Sequence, residues 1–179
     1  MGELVLATER LRLVLDTPEK VLARIEALGP AERAEVSEDW LARMRLTNTA
    51  DPWMHGFSAT GRVNGVTIGG CAFKGPPDPD GVVEIAYGID PVHQGRGYAT
   101  EASRALIAFA FGSGLVRVVR AHTRAGNAAS ERVLTKCGFK HVGEVIDPED
   151  GLVSRWERSK ETAEPNADVD PGRLLKDLG

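Results

Sequence analysis

Residues 82–103 read VVEIAYGIDPVHQGRGYATEAS, and the rest of the chain is organised around them. Val82, Val83, Ile85, Tyr87 and Ile89 are β-branched or aromatic and predict a strand, which Asp90-Pro91 ends. Gln94-Gly95-Arg96-Gly97-Tyr98-Ala99 then opens a helix. The first amides of a helix have no carbonyl four residues back, and the macrodipole there favours an anion. Gly95 and Gly97 remove Cβ atoms where backbone must curl round a phosphate, and Arg96 adds a permanent positive charge. A phosphate-bearing ligand is the expectation. The P-loop is excluded because no Gly-Lys-Ser/Thr triplet occurs. The dinucleotide fingerprint fails at Thr100, where it requires a third glycine.

The turn resembles the Gln/Arg-x-x-Gly-x-Gly/Ala signature of the GNAT acetyltransferase superfamily, through Gln94, Gly97 and Ala99. A second resemblance lies one strand later, in RAGNAASERVLTKCGF, residues 124–139. Asn127, Ser130, Leu134, Gly138 and Phe139 match the family's Asn-x-x-Ser/Ala-x-x-x-Leu-x-x-x-Gly-Phe element. A structural reading stands beside it: Asn127 is a good N-cap, Ala129, Val133 and Cys137 form an apolar stripe, and Gly138-Phe139 is a helix stop. The opening TERLRL and the run Ala72-Phe73-Lys74-Gly75-Pro76-Pro77 resemble the RimJ/RimL-like branch. Together these cover roughly residues 4–158.

The rest of the chain fits one domain, residues 1–159, followed by a charged tail over 160–179. With 179 residues, 42% of them hydrophobic, one sizeable core is expected. A net charge of −4 and a pI of 5.6 argue against a nucleic-acid partner. Cys71 and Cys137 make neither a metal pair nor a disulfide framework, so buried free thiols in a reducing compartment are expected. No run approaches the ~18 apolar residues of a membrane span, and the chain reads as soluble and cytoplasmic.

Residues 3–15 read as one half-buried strand with Leu11, Leu13 and Leu15 on one face and Arg10 and Arg12 on the other. Two or three short helices follow from Thr17 to Trp53. Trp40, Trp53 and His55 there are core anchors or a wall of the acceptor site. Asn64-Gly65 predicts a hairpin, and GPPDPDG, residues 75–81, ends its second strand. A helix over Tyr98–Gly112 and a strand over Leu115–Ala121 complete a βαβ crossover, which places the flanking strands parallel. A last strand pair, His141–Ile146 and Leu152–Glu157, closes the sheet. In the tail, Leu174, Leu175 and Leu178 are expected to dock as a short helix on this chain or a neighbour, which leaves room for a homodimer.

The resemblance implies an α/β GNAT fold: a mixed sheet of about six or seven strands, splayed between the two cofactor-flanking strands, with helices on both faces. It implies acetyl transfer from acetyl-coenzyme A to a primary amine in a ternary complex, with no metal. Ile89, Gln94, Gly95, Arg96, Gly97, Tyr98, Ala99, Thr100 and Asn127 would hold the cofactor, and an N–H near Ile89 would meet the thioester oxyanion. Glu84, the only carboxylate inside the central strand, is the candidate base; the other reading has it facing a basic neighbour or solvent. Many relatives carry a Tyr acid where this chain has Leu134, which leaves Ser130, through a water, as the nearest candidate acid.

Deprotonating a lysine near pH 7.5 costs roughly 4 kcal/mol, an α-amine under about 1 kcal/mol, so an acceptor α-amine is favoured over a lysine. Protein N-termini and small amines are both acceptors within that branch. The rival reading is a non-catalytic acyl-coenzyme A-binding sensor or interaction module of the same fold.

Overall fold

The computed structural model describes residues 2–161. The expected docking of Leu174, Leu175 and Leu178 lies outside the described residues. Eight strands form one mixed sheet in the order β1-β2-β3-β4-β5-β6-β8-β7. They are β1 Val5–Ala7, β2 Leu11–Leu15, β3 Phe57–Gly61, β4 Thr67–Phe73, β5 Val82–Ile89, β6 Val118–Arg124, β7 Lys140–Asp147 and β8 Gly151–Ser159. The helices are α1 Pro18–Glu26, α2 Pro30–Ala34, α3 Glu38–Leu46, α4 Tyr98–Gly112 and α5 Ala128–Lys136.

The eighth strand arises because residues 3–15 are not one strand. They fold into an antiparallel hairpin with Val5 opposite Val14 and Ala7 opposite Arg12. The turn between is held from outside: Glu101 in the first turn of α4 accepts from the Thr8 hydroxyl, from the Arg10 amide at 2.7 Å and from Arg10 Nε at 2.8 Å. Arg10 therefore sits in a turn and not on a strand face, whereas Leu11, Leu13 and Leu15 are buried as expected.

The first helices start where their caps predict. Thr17 accepts from the Lys20 amide and Ser37 from the Trp40 amide, and Gly29-Pro30 separates α1 from α2. Val21, Ile25, Leu41 and Met44 of α1 and α3 form a small core of their own, with Trp40 packed against it. Trp53 joins the main core against Phe73 at 4.7 Å and Phe109 at 5.6 Å, and His55 is buried. Helices α4 and α5 cover one face of the sheet, where Ala102, Leu106, Ile107 and Leu134 meet Val83, Ile85, Val119 and Ala121. Helix α1 reaches the reverse face through Lys20 Nζ, 2.9 Å from Ser58 Oγ, since Ser58 alternates with the core residues Phe57 and Ala59.

β6 begins three residues later than the apolar run suggests. The amides of Arg117 and Val118 both donate to the Gly81 carbonyl, so Leu115–Arg117 crosses under the loop before pairing starts, and Leu115 is exposed. β5 and β6 are parallel, but they pair only over Val82–Glu84 and Val118–Arg120. Beyond that they part. The final hairpin inserts β8, not β7, beside β6.

Candidate active site

The fork between β5 and β6 is where the site forms, and strand parity says what faces it. The Lys74 amide donates to the Glu84 carbonyl and the Asp90 amide to the Ile68 carbonyl. In an antiparallel ladder such bonded positions recur every second residue, so Glu84, Ala86, Gly88 and Asp90 spend their backbone groups on β4. Tyr87 and Ile89 therefore turn theirs towards the gap. The Ile89 N–H is thus directed into the gap, while the Gly88 and Asp90 backbones are committed to the sheet.

The turn beyond β5 has the expected shape. Gly95 has φ +73° and Gly97, the N-cap of α4, φ +82°, a left-handed backbone that side chains with a Cβ rarely adopt. The amides of residues 95–100 have no acceptor among the described residues, the first helical bond of α4 being Glu101 N–H to the Gly97 carbonyl. The Gln94 side chain is used within the protein: Nε2 donates to the Ile89 carbonyl at 2.8 Å and ties the turn to the strand end. Arg96 is exposed, and its carbonyl accepts from Arg10 Nη1 at 2.8 Å. The Arg10 guanidinium also lies 4.6 Å from the Tyr98 ring centre, so the N-terminal hairpin braces the turn from behind.

These groups open onto a cleft of about 560 Å³ between the turn, the end of β5 and α5. Gln94, Gly95, Gly97, Tyr98, Ala99 and Thr100 line one side, and Asn127 and Ser130 the other. Asn127 caps α5 by accepting from the Ser130 amide at 3.1 Å through Oδ1, and it lines the cleft as well. The stripe assigned to α5 needs correction: Leu134 and Cys137 are the buried pair, while Ala129 and Val133 face the cleft, with Arg132 and Lys136 on the same wall.

Three features complete the site: a basic neighbour for Glu84 was one of its two readings in the sequence, while the contacts of Tyr87 and of Arg10 were not anticipated. Tyr87 crosses the cleft so that its OH lies 2.7 Å from Ser130 Oγ and 3.3 Å from the Ser130 carbonyl. Burial pushes its phenol above the ordinary tyrosine range, against the opposing pull of the Ser130 hydrogen bond. On the reverse face Glu84 is not sequestered. Its Oε1 accepts from Lys74 Nζ at 2.8 Å and lies 3.0 Å from His122 Nδ1. Among the described residues Oε2 has no partner. Arg155 Nε points at His122 Nε2 from 3.4 Å, which favours the tautomer with the proton on Nδ1. Lys74 is held above its ordinary pKa because the hydrogen bond and charge of Glu84 outweigh the burial that would lower it. The third feature is Arg10, which pairs with Glu101 in the first turn of α4, a contact between residues 91 apart that only tertiary structure creates.

Among the described residues no cluster of His, Cys, Asp or Glu could hold a metal ion, and no helix is long and apolar enough to cross a membrane. Cys71 and Cys137 are free and buried.

The site is thus a mixed sheet forked between two parallel strands, with a left-handed glycine turn at the C-terminal end of one prong. The family profile described as Acetyltransferase (GNAT) domain matches residues 9–140, and the chain belongs to that family. Its structure superposes on the acetyltransferase (GNAT family) from Bacillus anthracis with a TM-score of 0.63 at 17% identity, covering 87% of this chain and 98% of that one. It is similar to RimL, a ribosomal-protein α-N-acetyltransferase solved with coenzyme A, with a TM-score of 0.64 at 18% identity over 87% and 98% of the two chains. It is also similar to aminoglycoside acetyltransferase AAC(6')-Ib solved with coenzyme A and kanamycin, with a TM-score of 0.61 at 20% identity over 84% and 95%. These likenesses are of fold. In sequence, the chain is 35% identical over 72 residues to the uncharacterized N-acetyltransferase YjdG of Bacillus subtilis (strain 168), a match spanning 40% of this chain and 43% of the relative.

Proposed function

We propose that this protein transfers an acetyl group from acetyl-coenzyme A to a primary amine by direct attack within a ternary complex. The observation that carries the reading is the fork: it joins a run of unpaired amides at a helix N-terminus to strand backbone groups turned into a gap. The turn would take the pyrophosphate, with Arg132 and Lys136 adding positive charge along α5. The pantetheine arm would run into the gap as an added strand, meeting the Tyr87 and Ile89 backbones.

A thioester lying in the gap is open to both faces of the sheet. Strand alternation puts Tyr87 and Ser130 on the α5 side and Glu84 and His122 on the other. The acceptor enters from the Glu84 face, where the free Oε2 takes a proton from its ammonium while Lys74 and His122 hold Oε1. The Ile89 N–H meets the developing oxyanion. Ser130, beside the cofactor, is placed to protonate the departing thiolate.

The acceptor in this reading is an α-amine, at a peptide N-terminus or on a small molecule, because its deprotonation asks least of a single carboxylate. The RimJ/RimL-like motifs and the likeness to RimL agree with that choice. A cytoplasmic location goes with the reading. Coenzyme A release, followed by its free thiol across a panel of peptide N-termini, lysine analogues and small amines, tests it. Acceptor-dependent release, greatest for α-amines, is the expected outcome; binding of acetyl-coenzyme A with no release for any acceptor assigns the protein to the sensor class.

A further inference from the structure

The α5 position at which many relatives place an acidic Tyr is Leu134 here, fully buried and without a proton to give. A phenol reaches the same cleft from the opposite wall. Tyr87 stands on β5, with its backbone turned to the gap, its ring across the cleft and its hydroxyl 2.7 Å from Ser130 Oγ. We propose that Tyr87 and Ser130 form a two-hydroxyl relay that delivers the proton to the leaving thiolate, with the Tyr87 phenol as its source. The inference rests on the acetyl-transfer reading above and adds to it the origin of that proton.

In the step, the amine nitrogen bonds to the thioester carbon. As the tetrahedral intermediate collapses the C–S bond breaks and its electron pair leaves with sulfur. Sulfur takes the hydroxyl proton of Ser130, and Ser130 Oγ takes that of Tyr87. The phenolate regains a proton from the one the nitrogen sheds, carried by water. No oxidant or further reactant enters. A serine alone is a poor acid, since its alkoxide is far more basic than a thiolate. Coupling to a phenol lets the charge rest on an oxygen whose reference pKa, about 10, lies nearer the thiol's of about 8.5.

The relay must be protonated to act, so activity falls at high pH as the phenol ionises. The other ionisable groups around it come from every neighbouring element: Cys71 beside it on β4, Cys137 after α5, Tyr98 on α4, Arg132 and Lys136 on α5, and His93 in the turn. Burial pushes the Cys71 thiol up to about 12 and the Cys137 thiol above its ordinary value, so neither titrates in the neutral range. Burial likewise keeps the Tyr87 limb above the ordinary tyrosine range, where it is hard to observe. A more acidic phenol at the same place brings it into view.

The experiment therefore uses the full-length protein with Tyr87→Phe and with difluorotyrosine introduced at residue 87 alone, with wild-type protein beside them. Acetyl-coenzyme A and the best amine of the panel are the substrates. Tyr87→Phe is expected to lower kcat by about 100-fold or more while leaving the coenzyme A dissociation constant unchanged. The difluorotyrosine protein is expected to keep activity near neutrality and to lose it at a lower pH than wild type. A Tyr87→Phe protein with wild-type kcat, or one that loses kcat only in step with cofactor affinity, overturns the relay. So does a basic limb that ignores fluorination, which also serves if Tyr87→Phe fails to fold. Wild-type protein that transfers acetyl to no acceptor overturns the underlying reading as well.

Discussion

At the scale of single residues the site divides into groups the sequence names and groups that only the fold brings in. Asn127 was legible as a cap from its place before an apolar helix, and the structure supplies the capping bond to Ser130 N–H. A role for its Nδ2 towards a pantetheine carbonyl is a proposal that substitution separates from capping. Asn127→Ala should cost about 1 kcal/mol of stability, with Asp or Ser restoring it. Asp cannot donate at neutral pH and repels a polyanion, so Asn127→Asp should melt like wild type yet bind acetyl-coenzyme A more weakly. Full recovery of both melting temperature and affinity would reduce Asn127 to a cap. Glu84 was legible as the one carboxylate within the strand and a basic neighbour as one of its readings, but which residues pair with it was not, because Lys74 follows the end of β4 and His122 lies on β6, 10 and 38 residues away. Glu84→Gln should lower kcat with little change in cofactor affinity. Unchanged turnover at every pH would take Glu84 out of the mechanism.

At the scale of elements the reading was best where local chemistry decides. The helix Tyr98–Gly112 and the Asn64-Gly65 hairpin follow from glycines, caps and periodicity, all of which act within a few residues. It failed where partners are distant. Alternation over residues 3–15 fits one strand as well as two, and what breaks it is Glu101, 91 residues away from Arg10. Arg10 thereby ties the N-terminal hairpin to the glycine turn and to the first turn of α4. Burial works to raise the Glu101 pKa, but the hydrogen bonds from Thr8 and Arg10 and the Arg10 charge prevail and hold its carboxyl below the ordinary 4.5. A lowered native pKa means that the latch contributes fully above 4.5 and is lost as pH falls through the native value. Glu101→Gln should therefore lower the melting temperature at neutral pH, and the gap from wild type should close on acidification below 4.5. A gap independent of pH would show that the carboxylate charge does not hold the hairpin.

For the whole molecule, the order of two motifs one βαβ unit apart made the family legible, and hydrophobic patterning gave most of the strands. What patterning cannot reveal is the fork. β5 and β6 each satisfy the strand pattern to their ends, yet they pair with each other over three residues and then diverge, while each stays paired along its outer edge, β5 to β4 and β6 to β8. The divergence converts a continuous sheet into a site with two faces, one offering Tyr87 and Ser130, the other Glu84 and His122. In this account cofactor and acceptor meet in that gap, and the turn at its mouth fixes where the cofactor lies. Gly97 is the narrowest point of that turn: its φ is +82°, and a Cβ there would lie 3.3 Å from Arg10 Nη2. Calorimetric titration of acetyl-coenzyme A into the wild-type protein and Gly97→Val tests the account most directly, with circular dichroism establishing that both are folded. The account predicts saturable binding by wild type and loss of at least tenfold in affinity in the variant. A folded variant with wild-type affinity, or a wild-type protein that does not bind acetyl-coenzyme A, would contradict it.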